Sequence, residues 1–101
     1  MTDTALTLAS FQQHIRDRYY ATDSARGTSA TFLWFIEEVG ELATALQRAS
    51  AADEQGDRQN LNEEFADVLA WLCTLANIND VDLERAVQNK YLDGKGPRGH
   101  K

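Results

Sequence analysis

The chain has 101 residues, 43% of them hydrophobic and 26% charged, a balance that suits one small globular domain and excludes both several independent cores and wholesale disorder. Ten Lys and Arg against 16 Asp and Glu give a formal net charge of -6, so neither nucleic acid nor an anionic membrane is an expected partner unless cations intervene. Cys73 is the single cysteine, no apolar run reaches bilayer length, and the start Met1-Thr2-Asp3-Thr4 has neither the basic head nor the apolar centre of a secretion signal; a cytoplasmic location is the expectation.

Pro97 is the only proline, and the β-branched alternation of strands is missing, so residues 1–101 read as one all-α domain. A first helix over about residues 5–21 places Leu8, Phe11, Ile15 and Tyr19 at three- and four-residue intervals, the repeat of a one-sided apolar stripe. The run Thr22–Ser29 is rich in turn and capping residues, and predicts a loop with Thr28 or Ser29 as the cap of the next helix. The second helix, about residues 30–50, carries Phe32, Phe35, Val39, Leu42 and Leu46 and fades into a connector over 49–59; the third, about 60–78, carries Leu61, Phe65, Val68, Leu72 and Leu75. Asn79-Asp80 offers a cap for a fourth helix that runs to about Tyr91, with Asp82 and Glu84 in its first turn. The glycine-rich, basic stretch 93–101 reads as a flexible tail.

Two acidic stretches stand out, Glu37-Glu38-Val39-Gly40-Glu41 and Glu63-Glu64-Phe65-Ala66-Asp67. At about 100° per residue, the acids of both helices occupy the same arc beside the apolar stripe. If the second and third helices pack as an antiparallel hairpin, about four to six carboxylates converge along one edge, an arrangement that like-charge repulsion opposes. Lys and Arg are scarce on these two helices, Arg48 being the nearest, and neither His14, His100 nor a second thiol is close in sequence. A hard, oxygen-seeking cation, magnesium with manganese as a substitute, is therefore the expected counter-charge, and its open coordination positions suit a substrate that carries phosphates. Either stretch alone also reads as a solvated helix face; the matched duplication favours the metal site.

The segment Phe32-Leu33-Trp34-Phe35-Ile36-Glu37-Glu38-Val39-Gly40-Glu41-Leu42, followed by Glu64-Phe65-Ala66-Asp67 and by Asp82–Tyr91, resembles the MazG-like members of the all-α nucleoside triphosphate pyrophosphohydrolases. The resemblance spans about residues 30–91 and rests on Glu-Glu-x-x-Glu and then Glu-x-x-Asp. It implies a four-helix domain whose hairpin is completed into a larger bundle in a homodimer or homotetramer, and hydrolysis of a nucleoside triphosphate to monophosphate and pyrophosphate, as in clearing nucleotide pools. It implies Glu38, Glu41, Glu64 and Asp67 as magnesium ligands. Glu37 would hold a further metal or, with Glu38, serve catalysis by orienting and deprotonating the attacking water, and Lys90 would contact a phosphate, although a lysine there also balances a helix dipole. Phosphoribosyl-ATP pyrophosphatase resembles the same superfamily, but Phe35-Ile36 stands where a lysine is expected. A non-catalytic acidic interaction module is the reading from another class.

Trp34 lies four residues before Glu38 and Trp71 four after Asp67, which in an antiparallel hairpin puts both at one end of the acid cluster, placed to stack on a nucleobase or to pack in an interface. Asn77 or Asn79 could read a base edge, although capping a helix explains Asn79 as well. Lys95 and Arg98 of the tail either close over phosphates or solubilise the chain. The apolar stripes exceed what one hairpin covers, and self-association is expected.

Overall fold

Thr7 and Ser10 begin the first helix with a reciprocal cap: the Thr7 hydroxyl accepts from the Ser10 amide at 2.9 Å, and the Thr7 amide donates to the Ser10 hydroxyl at 2.9 Å. In the computed structural model, which describes residues 5–52 and 55–93, every element is helical. In chain order these are α1 (Leu8–Arg26), α2 (Thr28–Ala52), α3 (Gln55–Ile78) and α4 (Leu83–Val87), the last continuing into one π-helical turn, Gln88–Leu92. No helix among the described residues is long and apolar enough to cross a membrane.

The expected loop over 22–29 contracts to Gly27. Thr22 to Ala25 stay helical, with Asp23 buried and paired to Arg26 one turn on. The break comes at Gly27, whose φ of 86° lies in the region that side chains oppose. Thr28 is already helical, so Gly27 holds the position expected for Thr28 or Ser29. The connector over 49–59 is likewise mostly helical, α2 running to Ala52 and α3 starting at Gln55. Asn79 and Asp80 end α3 and do not start α4: Asp80 adopts a left-handed φ of 58°, its amide bonds to the Asn77 carbonyl, and the Val81 amide reaches back to Ala76 at 2.9 Å. Asp82 caps α4 by accepting from the Arg85 amide. Beyond Asp93 the tail, with Lys95 and Arg98, lies outside the described residues.

Helices α2 and α3 pack most extensively, and α1 lies against α3, which makes α3 the central element. The hairpin is antiparallel, because Trp34 meets Trp71, Glu38 and Glu41 meet Glu64, and Ala45 and Arg48 share a cavity wall with Asn60. The positions that burial marks along the seam are Thr31, Phe35, Glu38, Leu42 and Ala45 on α2, and Leu61, Glu64, Val68, Trp71 and Leu75 on α3. Their alternating spacing of three and four is that of a coiled-coil seam. The predicted stripes are therefore rotated by about half a residue step. Phe35, Leu42, Leu61, Val68 and Leu75 lie in the seam, while Phe32, Val39, Leu46, Phe65 and Leu72 are exposed. Small residues let the helices approach: Ala45, Cys73 and Ala76 are fully or nearly fully buried, and burial pushes the Cys73 thiol up.

Where α1, the end of α3 and the start of α4 meet, the buried side chain is polar. The Gln12 amide nitrogen donates to Asn77 Oδ1 at 2.9 Å and to the Val81 carbonyl at 2.7 Å, its oxygen accepts from the Leu83 amide at 3.0 Å, and Asn77 Nδ2 donates to the Gln12 carbonyl at 3.3 Å. Apolar periodicity carries no signal for such a residue. Gln12→Ala leaves several of these groups buried without a partner and should cost about 2–4 kcal/mol of unfolding free energy in urea; a loss below about 0.5 kcal/mol would show that this junction does not hold the helices together.

Candidate metal centre and adjoining aromatic pocket

Glu38 and Glu64 occupy seam positions where a coiled coil ordinarily places an apolar residue. Each has its Oε1 atom buried without a hydrogen-bond partner among the described residues, a costly condition for a carboxylate. Glu41, one turn beyond Glu38 and exposed, completes a group in which one oxygen each of Glu38, Glu41 and Glu64 lies within 4.8 Å of the others. Asp67, one turn beyond Glu64 and also exposed, sits close enough for its charge to act on both Glu38 and Glu64. The structure thus groups three of the four acids that the resemblance singles out, Glu38, Glu41 and Glu64, with Asp67 near enough for its charge to be felt but outside that group. Glu37 and Glu63 are exposed at the margin, and each adds the smallest of the charge effects, Glu37 on Glu38 and Glu63 on Glu64.

Desolvation, followed by the charges of Glu41 and Asp67, holds the Glu38 and Glu64 carboxyls above the usual glutamate range; Glu64 itself adds to the effect on Glu38. Among the described residues the donor set is oxygen only, with two oxygens lacking any partner, and it fits a hard divalent cation. Next to it Glu41 and Glu64 share a cavity of about 180 Å³ with Thr44, Ala45, Arg48 and Asn60.

At the other end of the same seam Trp34 and Trp71 stack on each other, ring centroids 6.1 Å apart and 14° from parallel. The Arg26 guanidinium lies 5.2 Å over the Trp71 ring and is held by the Thr31 hydroxyl at 3.2 Å and by Asp23 Oδ1 at 3.2 Å. Asn79 has its amide committed to the Thr28 hydroxyl at 3.2 Å and the Leu75 carbonyl at 2.9 Å, tying the start of α2 to the end of α3. Lys90 is exposed on the π-helical turn, its ammonium 5.7 Å from the Tyr91 ring. Asp23, Arg26 and Thr31 are the polar groups that sequence reasoning missed. They fall in or beside the stretch read as a loop, and only the extension of α1 to Arg26 carries them to the aromatic pair.

A family model described as the MazG nucleotide pyrophosphohydrolase domain matches residues 26–92, a range that takes in Glu38, Glu41, Glu64 and Asp67, both tryptophans, Asn79 and Lys90. No curated protein matches the chain.

The raised carboxyls set a direction for stability without metal. A glutamate whose pKa is higher folded than unfolded contributes most below the ordinary value of 4.5, and that contribution is lost as pH rises through the raised folded value. In chelator at pH 7, Glu38→Gln should therefore melt a few degrees above the parent chain, the gap closing near pH 4, while added magnesium should raise the melting temperature of the parent and not of the variant. A variant that melts lower in chelator at pH 7 would refute carboxylate repulsion in the seam.

Proposed function

Because the chain belongs to the MazG nucleotide pyrophosphohydrolase family, we propose that it hydrolyses a nucleoside or deoxynucleoside triphosphate to the monophosphate and pyrophosphate in a magnesium-dependent reaction that clears nucleotides from the cytoplasmic pool. The observation that carries the magnesium reading is the pair of partnerless buried oxygens on Glu38 and Glu64, beside Glu41. Glu38, Glu41, Glu64 and Asp67 would hold the cation, with manganese able to replace it, because all four offer hard carboxylate oxygens. When bound, such an ion offsets phosphate charge and lowers the pKa of coordinated water.

The chain's own part is to position and to move a proton. Glu37, exposed beside Glu38, is the base that takes a proton from the attacking water, with Glu38 orienting that water; water oxygen joins one phosphorus as the bridging P–O bond breaks and pyrophosphate leaves. Trp34 and Trp71 provide an aromatic wall for the base at the end of the seam. Asn79 supports that end through Thr28 and Leu75, and Lys90 supplies a cation to the phosphate chain.

A second copy of the chain is the proposed partner. Phe32, Val39 and Leu46 on α2 and Phe65 and Leu72 on α3 remain exposed along equivalent positions of the hairpin, an apolar surface that a symmetric dimer or tetramer would cover. Sedimentation should give a dimer or larger, and Leu46→Glu combined with Leu72→Glu should shift it to the monomer; a parent chain that sediments as a monomer at micromolar concentration refutes the partner.

Activity is tested with a panel of nucleoside triphosphates and phosphoribosyl-ATP in magnesium, reading pyrophosphate. Glu41→Gln should lower kcat by about a hundredfold or more, and Glu37→Gln by about 10²–10⁴-fold, as loss of a general base does. No product from any nucleotide would favour a non-catalytic module.

A further inference from the structure

Between α1 and α3 lies a cavity of about 370 Å³ that the acid cluster does not use. Ile15, Ala70, Trp71 and the Tyr19 ring give it apolar walls, and Asp23, Thr74, Arg26 and the Tyr19 hydroxyl, which makes no bond to Asp23 Oδ2, supply its polar groups. Asp23 is only 4% exposed, and its two oxygens differ in circumstance. Oδ1 pairs with Arg26 at 3.2 Å, whereas Oδ2 is buried with no hydrogen-bond partner among the described residues. Arg26 is already committed to Asp23 Oδ1, the Thr31 hydroxyl and the Trp71 face.

We infer that this cavity takes the base of the triphosphate, and that Asp23 makes the site prefer a base bearing an exocyclic amine over the same base bearing a carbonyl there. The inference rests on the proposed pyrophosphohydrolase activity for the identity of the ligand. An ionised carboxylate only accepts hydrogen bonds, so the group that Oδ2 lacks is a donor. The apolar walls and the Trp71 ring suit a flat heteroaromatic ring, and an amine on that ring supplies the donor; this is the pairing by which Asp and Glu recognise the cytosine amine. A carbonyl at the same place sets two acceptors against each other in a buried site and leaves both unpaired. Trp71 stands four residues beyond Asp67, about 6 Å along α3, so a ring in this cavity and phosphates at the acids belong to one elongated ligand. Thr74, 5% exposed, is a second polar group in the same wall.

The matched pairs dCTP with dUTP and dATP with dITP differ at the amine position. The parent chain should show kcat/KM at least about tenfold higher for the amine-bearing member of a pair that it accepts, the difference residing in KM, and Asp23→Asn should shrink that ratio toward one. Tryptophan fluorescence titrated with dCMP and dUMP in magnesium reads the same preference without hydrolysis: tighter binding of dCMP, lost in Asp23→Asn, is expected. Ratios unchanged by Asp23→Asn, or equal affinities for the two monophosphates, overturn the inference and leave a solvent water or a sugar hydroxyl as the donor. If no triphosphate is cleaved while dCMP is still preferred, the activity fails and the cavity assignment stands. Should Asp23→Asn not fold, Ala70→Leu, which fills the cavity from the opposite wall and spares the Asp23–Arg26 pair, should weaken dCMP binding about tenfold or more; undiminished binding overturns the inference.

Discussion

Two glutamates in a helix seam, each with an oxygen that no described residue satisfies, are the constraint around which the rest of the molecule is arranged. Glu38 and Glu64 stand at heptad-like positions between Phe35 and Leu42 on one helix and between Leu61 and Val68 on the other. An apolar pair there would pack better and make the hairpin more stable without any ion. The helices instead keep carboxylates where burial and the charges of Glu41 and Asp67 oppose ionisation, a local conflict of the sort that marks functional sites. Binding an oxygen-seeking cation would resolve it, and would couple metal uptake to the tightness of the α2–α3 seam.

The surroundings make that conflict tolerable. The third helix is held from its other side by α1, through the Gln12 and Asn77 amides, and α1 is in turn fastened by the Glu84 carboxylate, which accepts from the Ala9 amide at 2.9 Å. These bonds are fully made, so the junction specifies how α1, α3 and α4 meet without adding an unpaired group. Among the described residues positive φ occurs at Gly27 and Asp80, and both lie at helix ends where residues of their types tolerate it. Among the described residues, Asp23 Oδ2 is the one other buried side-chain polar atom without a partner, so the acids are carried on a frame that is otherwise satisfied.

The aromatic end has a different physical character. Stacked indoles, a guanidinium over one of them and a buried carboxylate place flat apolar surface next to a few directed polar groups, the composition of a small-molecule pocket. Under the proposed function the two ends would divide the labour of recognising a nucleotide, charge at one and ring shape at the other. Both lie along the same two helices, so their separation is set by helix rise and not by a loop.

The sequence by itself determined the all-helical class, the duplicated acid motif and its matched position beside each apolar stripe, because helical periodicity fixes relative angles and rises along each helix; the antiparallel packing that makes the acids converge and Trp34 meet Trp71 was decided by the tertiary structure. The sequence could not set how far each helix is rotated about its axis. A stripe drawn through the largest apolar residues put Val39, Leu46, Phe65 and Leu72 inside; packing chose the narrower seam through Thr31, Ala45, Glu38 and Glu64, since small residues let the backbones approach and leave the larger side chains on the surface. Nor could it foresee that Thr22–Arg26 stays helical, which follows from long-range burial of Asp23 and from Arg26 reaching Trp71. Local spacing is written into the chain, whereas axial rotation, the end of α1 and the partners of buried polar atoms depend on groups far apart in sequence and exist only once the helices have packed.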